Sequence, residues 1–130
     1  MSKNILIVKQ GATFKRRIEY FVDSQPRDLT NYHGRMQFRP TPESSTIYLT
    51  LSSSIDADGS GLNFTPMSGS VVLPLTSGSI GITISAYSSS LLPANQESYF
   101  DLFIISGSGV NYYSELVYEG KAKFTPRITR

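Results

Sequence analysis

Catalysis in this chain would have to begin at its one histidine, His33, because imidazole is the side chain that titrates near neutral pH. A nucleophilic triad would use it as general base. His33 stands in Asn31-Tyr32-His33-Gly34, an expected strand start, and nothing marks one of the 20 serines as its partner. Glu97, Asp101, Glu115 and Glu119 are candidates for the carboxylate pair of a glycosidase, but they fall at strand alternation and read as a solvated sheet face. Asp56-Ala57-Asp58-Gly59-Ser60-Gly61 resembles the first half of a calcium loop. The bidentate Glu required at position twelve is Met67 here, and a turn tip is the better reading. The eight tyrosines, Tyr20, Tyr32, Tyr48, Tyr87, Tyr99, Tyr112, Tyr113 and Tyr118, could form a sugar platform, though most fall on inward or central strand positions and read as core. Ser106-Gly107-Ser108-Gly109 precedes a strand, not a helix, so it is a hairpin loop and not a phosphate cradle. With no cysteine and one histidine, thiolate and ordinary transition-metal chemistry lack their ligands. No catalytic, metal-binding or cofactor-binding residue is expected, and no cofactor.

The elements that would carry any site are strands. The 130 residues suit one domain, residues 1–130, with 39% hydrophobic and 17% charged residues. The 20 Ser and 10 Thr, with 10 Gly and 7 Pro, suit short strands joined by turns. The first apolar run, Ile5-Leu6-Ile7-Val8, is too short for a secretory h-region or a membrane helix, so the chain is expected to be made in the cytoplasm and to bind no membrane.

Period-two alternation recurs along the chain. Thr13–Asp23 places Phe14, Ile18, Tyr20 and Val22 inward, with Arg16 as the exception on that face. Tyr32–Arg39 places Met36 and Phe38 inward and is ended by Pro40 and Pro42. Thr46–Leu51 places Ile47, Leu49 and Leu51 inward, with Tyr48 outward. Val71–Leu75 and Ser79–Ser85 follow, the latter with Ile80, Ile82 and Ile84 on one face. Ala86–Leu92 reads as a single helical turn. Glu97–Ser106 is apolar on both faces and reads as a central, covered strand. Asn111–Thr125 places Tyr112, Leu116, Tyr118, Ala122 and Phe124 inward, with Glu115, Glu119, Lys121 and Lys123 outward. Seven or eight closely spaced strands predict an all-β, antiparallel, immunoglobulin-like β-sandwich.

The net charge of +2 conceals a segregation. Residues 1–40 carry eight Lys/Arg against three acids, and residues 41–110 carry five acids and no Lys or Arg. Lys15-Arg16-Arg17 reads mainly as a strand with Lys15 and Arg17 facing water. The acidic middle argues against nucleic acid and favours docking on a protein partner or a neighbouring copy. Edge strands offer unpaired backbone groups for strand addition, and the termini, 1–9 and 126–130, are the expected candidates. Lys15, Arg17, Arg127 and Arg130 are the candidate partner-binding residues.

Several short blocks occur in one order: Gln10-Gly11-Ala12-Thr13-Phe14, Asp28-Leu29-Thr30-Asn31-Tyr32, Arg35-Met36-Gln37-Phe38-Arg39-Pro40, Ile82-Thr83-Ile84-Ser85, Leu91-Leu92-Pro93-Ala94, Tyr99-Phe100-Asp101-Leu102, and Leu116 through Pro126. Over nearly the whole chain this set resembles small tailed-phage structural proteins and is similar to the immunoglobulin-like N-terminal domain of phage upper baseplate proteins. Such chains usually carry Gly after Leu-Pro-Ala, where this one has Asn95. The resemblance implies a virion component near the tail, baseplate or fibre attachment, with other virion proteins or copies of itself as partners. A carbohydrate- or receptor-binding sandwich using the 52–70 loop, or a capsid decoration protein, is the competing expectation.

Overall fold

A computed structural model describes residues 4–107 and 112–126. Alternating apolar residues become strand wherever a neighbour can complete the backbone ladder. The strands are β1 (Asn4–Lys9), β2 (Phe14–Glu19), β3 (Phe21–Val22), β4 (Gln25–Pro26), β5 (His33–Arg39), β6 (Leu49–Ser52), β7 (Gly61–Asn63), β8 (Met67–Ser68), β9 (Val71–Val72), β10 (Ser79–Ile84), β11 (Gln96–Ser106) and β12 (Tyr113–Thr125). One short helix, α1 (Ala86–Ser90), follows β10 and is capped by the Ser85 side chain, which accepts from the Ser88 amide. The chain is all-β, in a five-stranded sheet ordered β1-β12-β11-β5-β6, a three-stranded sheet ordered β2-β10-β7, and two small ribbons, β3-β4 and β8-β9.

One hydrophobic cluster joins the two larger sheets. Leu6, Val8, Met36, Phe38, Leu102, Ile104, Ala122 and Phe124 come from the five-stranded sheet, and Leu62, Ile80, Ile82 and Ile84 from the three-stranded one. Phe38 sits at the aromatic centre, 5.7 Å from the Phe100 ring and 6.3 Å from Phe124. The inward faces expected for β5 and β10 are therefore as the alternation predicts.

Four expectations about pairing, strand limits and inward faces need correction, besides the covering of Glu97–Ser106, whose outer face is open. Not every pairing is antiparallel: β1 runs parallel to β12 from Asn4↔Gly120 to Lys9↔Thr125. Parallel neighbours need a long crossover, and here nearly the whole chain supplies it. The strand expected over Thr13–Asp23 breaks at Tyr20, whose amide donates to Gly78 O at 2.8 Å, and Val22 points into solvent. Residues 46–51 enter the sheet later than expected, so Ile47 is exposed while the Tyr48 ring packs 5.8 Å from Phe124.

The fourth correction has the largest consequence. The β11–β12 register slips between Leu102↔Tyr118 and Phe103↔Leu116, leaving Val117 as the extra residue of a β-bulge. Val117 and Tyr118 both pack on the core, and every side chain before the bulge changes face. Leu116 and Tyr112, expected inside, are exposed, and Glu115, expected outside, turns inward.

Candidate functional site

Two polar arrangements follow from this framework. The first is made by Glu115. Tyr20 and Tyr113 donate hydroxyls to its two oxygens, Tyr113 at 2.9 Å, and Arg27 Nη2 lies 3.0 Å from Oε1. Arg27 Nη2 also donates to Tyr32 Oη at 2.7 Å, with the guanidinium 5.2 Å from the centre of that ring. Gly78, at φ +70°, is what lets these groups converge. A Cβ there would lie 2.5 Å from Tyr20 O and 2.9 Å from Arg27 N.

Burial alone would raise the Glu115 carboxyl, but the two tyrosine hydrogen bonds and the Arg27 charge hold it below its ordinary value. Burial, then the bond to Glu115, pushes the Tyr20 hydroxyl up to about 12. This cluster fastens the 20–32 segment to β12. Its hydroxyls and carboxylate partner one another, with Arg27 Nε buried and unpartnered, which suits a fixed strut and not a substrate site.

The second arrangement is the outer face of the five-stranded sheet. The central β11 is not covered on this side: Asp101, Phe103 and Ile105 floor an open groove of about 930 Å³. His33, Arg35, Gln37 and Arg39 of β5 form one side, residues 42–45 a wall, and Tyr112 and Ser114 the other side. Register explains the convergence, since Gln37, Asp101 and Glu119 face one another across three strands, and Arg35 lies opposite Phe103. Arg39 Nη1 is tied to Ser44 O at 2.6 Å and Nη2 to Gln37 Oε1 at 3.0 Å, while Arg35 is exposed. Partial desolvation raises the Asp101 carboxyl, Glu119 adds to the rise, and Arg39 opposes it. A floor of Phe103 and Ile105 beside Asp101, with the exposed Arg35 on one side and Tyr112 at the rim, can hold an extended polypeptide or a polar ligand.

His33 is exposed at one side of this groove. The four acids separate: Glu115 is in the inner cluster, Asp101 faces Glu119 on the outer face, and Glu97 pairs in register with Lys123. Asp58 of the 56–61 turn is consumed internally. It accepts from the Ser60 amide and from the hydroxyls of Ser60, Ser85 and Ser88, which hold its carboxyl well below the usual range. Among the described residues no group of three or more His, Cys, Asp or Glu could hold a metal ion.

Lys15 and Arg17 share the outward face of β2, at the edge of the three-stranded sheet, and Arg17 Nη1 reaches Met67 O at 3.4 Å. Arg127 and Arg130 lie outside the described residues. The basic first forty residues therefore form no single patch: Lys15 and Arg17 belong to one sheet, Arg35 and Arg39 to the other. No helix among the described residues is long and apolar enough to cross a membrane.

No protein-family model matches the chain, and no curated protein matches it. Among solved structures it is similar to the N-terminal domain of phage TP901-1 ORF48, at a TM-score of 0.54 and 6% sequence identity. The alignment covers 94% of this chain and 85% of that one. At that identity the likeness is one of fold.

Proposed function

We propose that this protein is a non-enzymatic structural component of a tailed-phage virion, an immunoglobulin-like adaptor or assembly module at the tail, baseplate or fibre-attachment region. The observation that carries the reading is the fold likeness to a domain of a phage protein, which extends over 94% of the chain. The ordered blocks by which the sequence resembles small phage structural proteins point the same way. Its partners are other virion proteins, not nucleic acid or membrane, and its contact surface is the uncovered outer face of the five-stranded sheet. Sheet faces that bear exposed apolar and charged side chains without a covering layer suit association better than chemistry. The competing receptor- or sugar-binding reading relied on the 52–70 loop, whose Asp58 is already occupied by internal hydroxyls.

Arg35→Glu tests the reading. The side chain is exposed, so melting should be unchanged. Charge reversal on the contact face should lower the amount of protein built into particles by about tenfold. Incorporation at the unsubstituted level by a variant of unchanged melting would contradict it.

A further inference from the structure

We propose that the free edge of β1 is a strand-addition site for an extended, acidic segment of another protein chain. The inference deepens the assembly reading and rests on it for its biological setting. Its physical basis is a comparison of the four edges of the two larger sheets, β1, β6, β2 and β7. Native sheets blunt their edges by shortness, by inward-pointing charge, by proline or by bulges. β6 and β7 are four and three residues long. β2 has six residues, but Arg16 pairs with Ile82, whose side chain is wholly buried, so a charge stands on its core-facing side. β1 also has six residues, Asn4-Ile5-Leu6-Ile7-Val8-Lys9, with no proline and no inward charge; α1 approaches it, but the Ser89 hydrogen bonds fall on Gly11 and Ala12, past the strand's end.

The backbone direction of β1 is set at its end. Gln10 N donates to Thr125 O at 2.9 Å, so the even-numbered residues point their amides at β12 and Ile5, Ile7 and Lys9 point theirs away. The Lys9 carbonyl is taken by Ala12 N at 3.2 Å. The Ile5 and Ile7 N–H and C=O groups and the Lys9 N–H have no backbone partner among the described residues. The same two isoleucines are 62% and 61% exposed on the outer face, while Leu6 and Val8 are buried. An incoming strand thus meets a ladder of free backbone groups beside two β-branched side chains.

Charge chooses the occupant. Lys121 and Lys123 stand opposite Ile5 and Ile7 on β12, and Lys9 ends the strand. β6 and β7 approach each other at one flank of the two sheets, so β1 and β2, joined through residues 10–13, lie at the other, where Arg16 is exposed. A second copy of β1 brings no acid to this basic flank and sets lysines beside lysines. A strand with apolar residues on the face of Leu6 and Val8 and carboxylates on the outer face, beside Lys9, Lys121 and Lys123, complements this flank, with Glu97 meeting Lys123 from the other side.

The test titrates a ten-residue peptide alternating valine and glutamate, and its valine–lysine counterpart, into the ¹⁵N-labelled full chain. The glutamate peptide should shift the Ile5, Ile7 and Lys9 amides and slow their hydrogen exchange, with affinity about tenfold above that of the lysine peptide. Ile7→Pro removes an N–H that β12 does not use and should abolish the response. Ile7→Glu, which keeps the backbone intact and sets a carboxylate against the incoming carboxylates, should weaken it. Equal response to both peptides, perturbation confined to other residues, or self-association that Ile7→Pro reverses would overturn the proposal. A silent edge in a protein still found in particles would remove this inference alone. A responsive edge in a protein absent from particles would remove the assembly reading alone.

Discussion

Phe38→Ala should destabilise the fold by about 3–5 kcal/mol, the range for emptying a buried aromatic position. Phe38 is fully buried between Phe100 and Phe124, on a β5 position that faces the three-stranded sheet across the core. Two rings, Phe100 and Phe124, lose their common neighbour, and the strands around the cavity are held by ladders on both sides, which limits collapse. Equilibrium urea unfolding measures the change. Ile5→Ala, at an exposed position of the edge strand, is the matched comparison and should fall within about 0.5 kcal/mol of the unsubstituted chain. A loss below about 1 kcal/mol for Phe38→Ala would mean that the two sheets do not share this core.

Glu115→Ala should cost about 2 kcal/mol, less than the 3–5 of a fully buried broken pair because Arg27 keeps 29% of its side-chain exposure. The change removes the acceptor shared by Arg27, Tyr20 and Tyr113. The Glu115 carboxyl is held below its ordinary value of 4.5, so its contribution is complete above that pH and is lost as pH falls through the lowered value. Tyr20, raised from 10.0 to about 12, behaves oppositely: its contribution is complete below pH 10 and is lost as pH rises through about 12. Melting of Glu115→Gln and the unsubstituted chain across pH should therefore converge at low pH. A gap that stays constant down to strongly acidic pH would contradict the ion pair.

This cluster also marks where sequence reasoning reaches its limit. Alternation alone was enough to place Met36 and Phe38, Ile80, Ile82 and Ile84, and Ala122 and Phe124 inward, because each lies in a regular strand whose faces differ in polarity. The helical turn before Pro93 was likewise legible, and the structure adds Ser85 as its cap. A single extra residue at Val117 is different: it reverses inside and outside for everything N-terminal to it, and neither valine nor its neighbours announce a bulge. Leu116 and Glu115 exchange faces for that reason alone. The parallel seating of β1 on β12 joins residues more than a hundred positions apart, beyond any local pattern. The groove was hidden similarly. Arg35, Asp101 and Tyr112 belong to separate strands and meet only through sheet order. The charge segregation was visible in the sequence, but its division between two sheets was not.

The claim that the chain is built into a virion has a direct test in the particles themselves. Purified phage particles, analysed by quantitative mass spectrometry and imaged with antibody against this chain, should contain it in fixed copy number with label at the tail, baseplate or fibre attachment. Label on the capsid would move the protein to a decoration role. Its absence from particles that are otherwise complete would contradict the account.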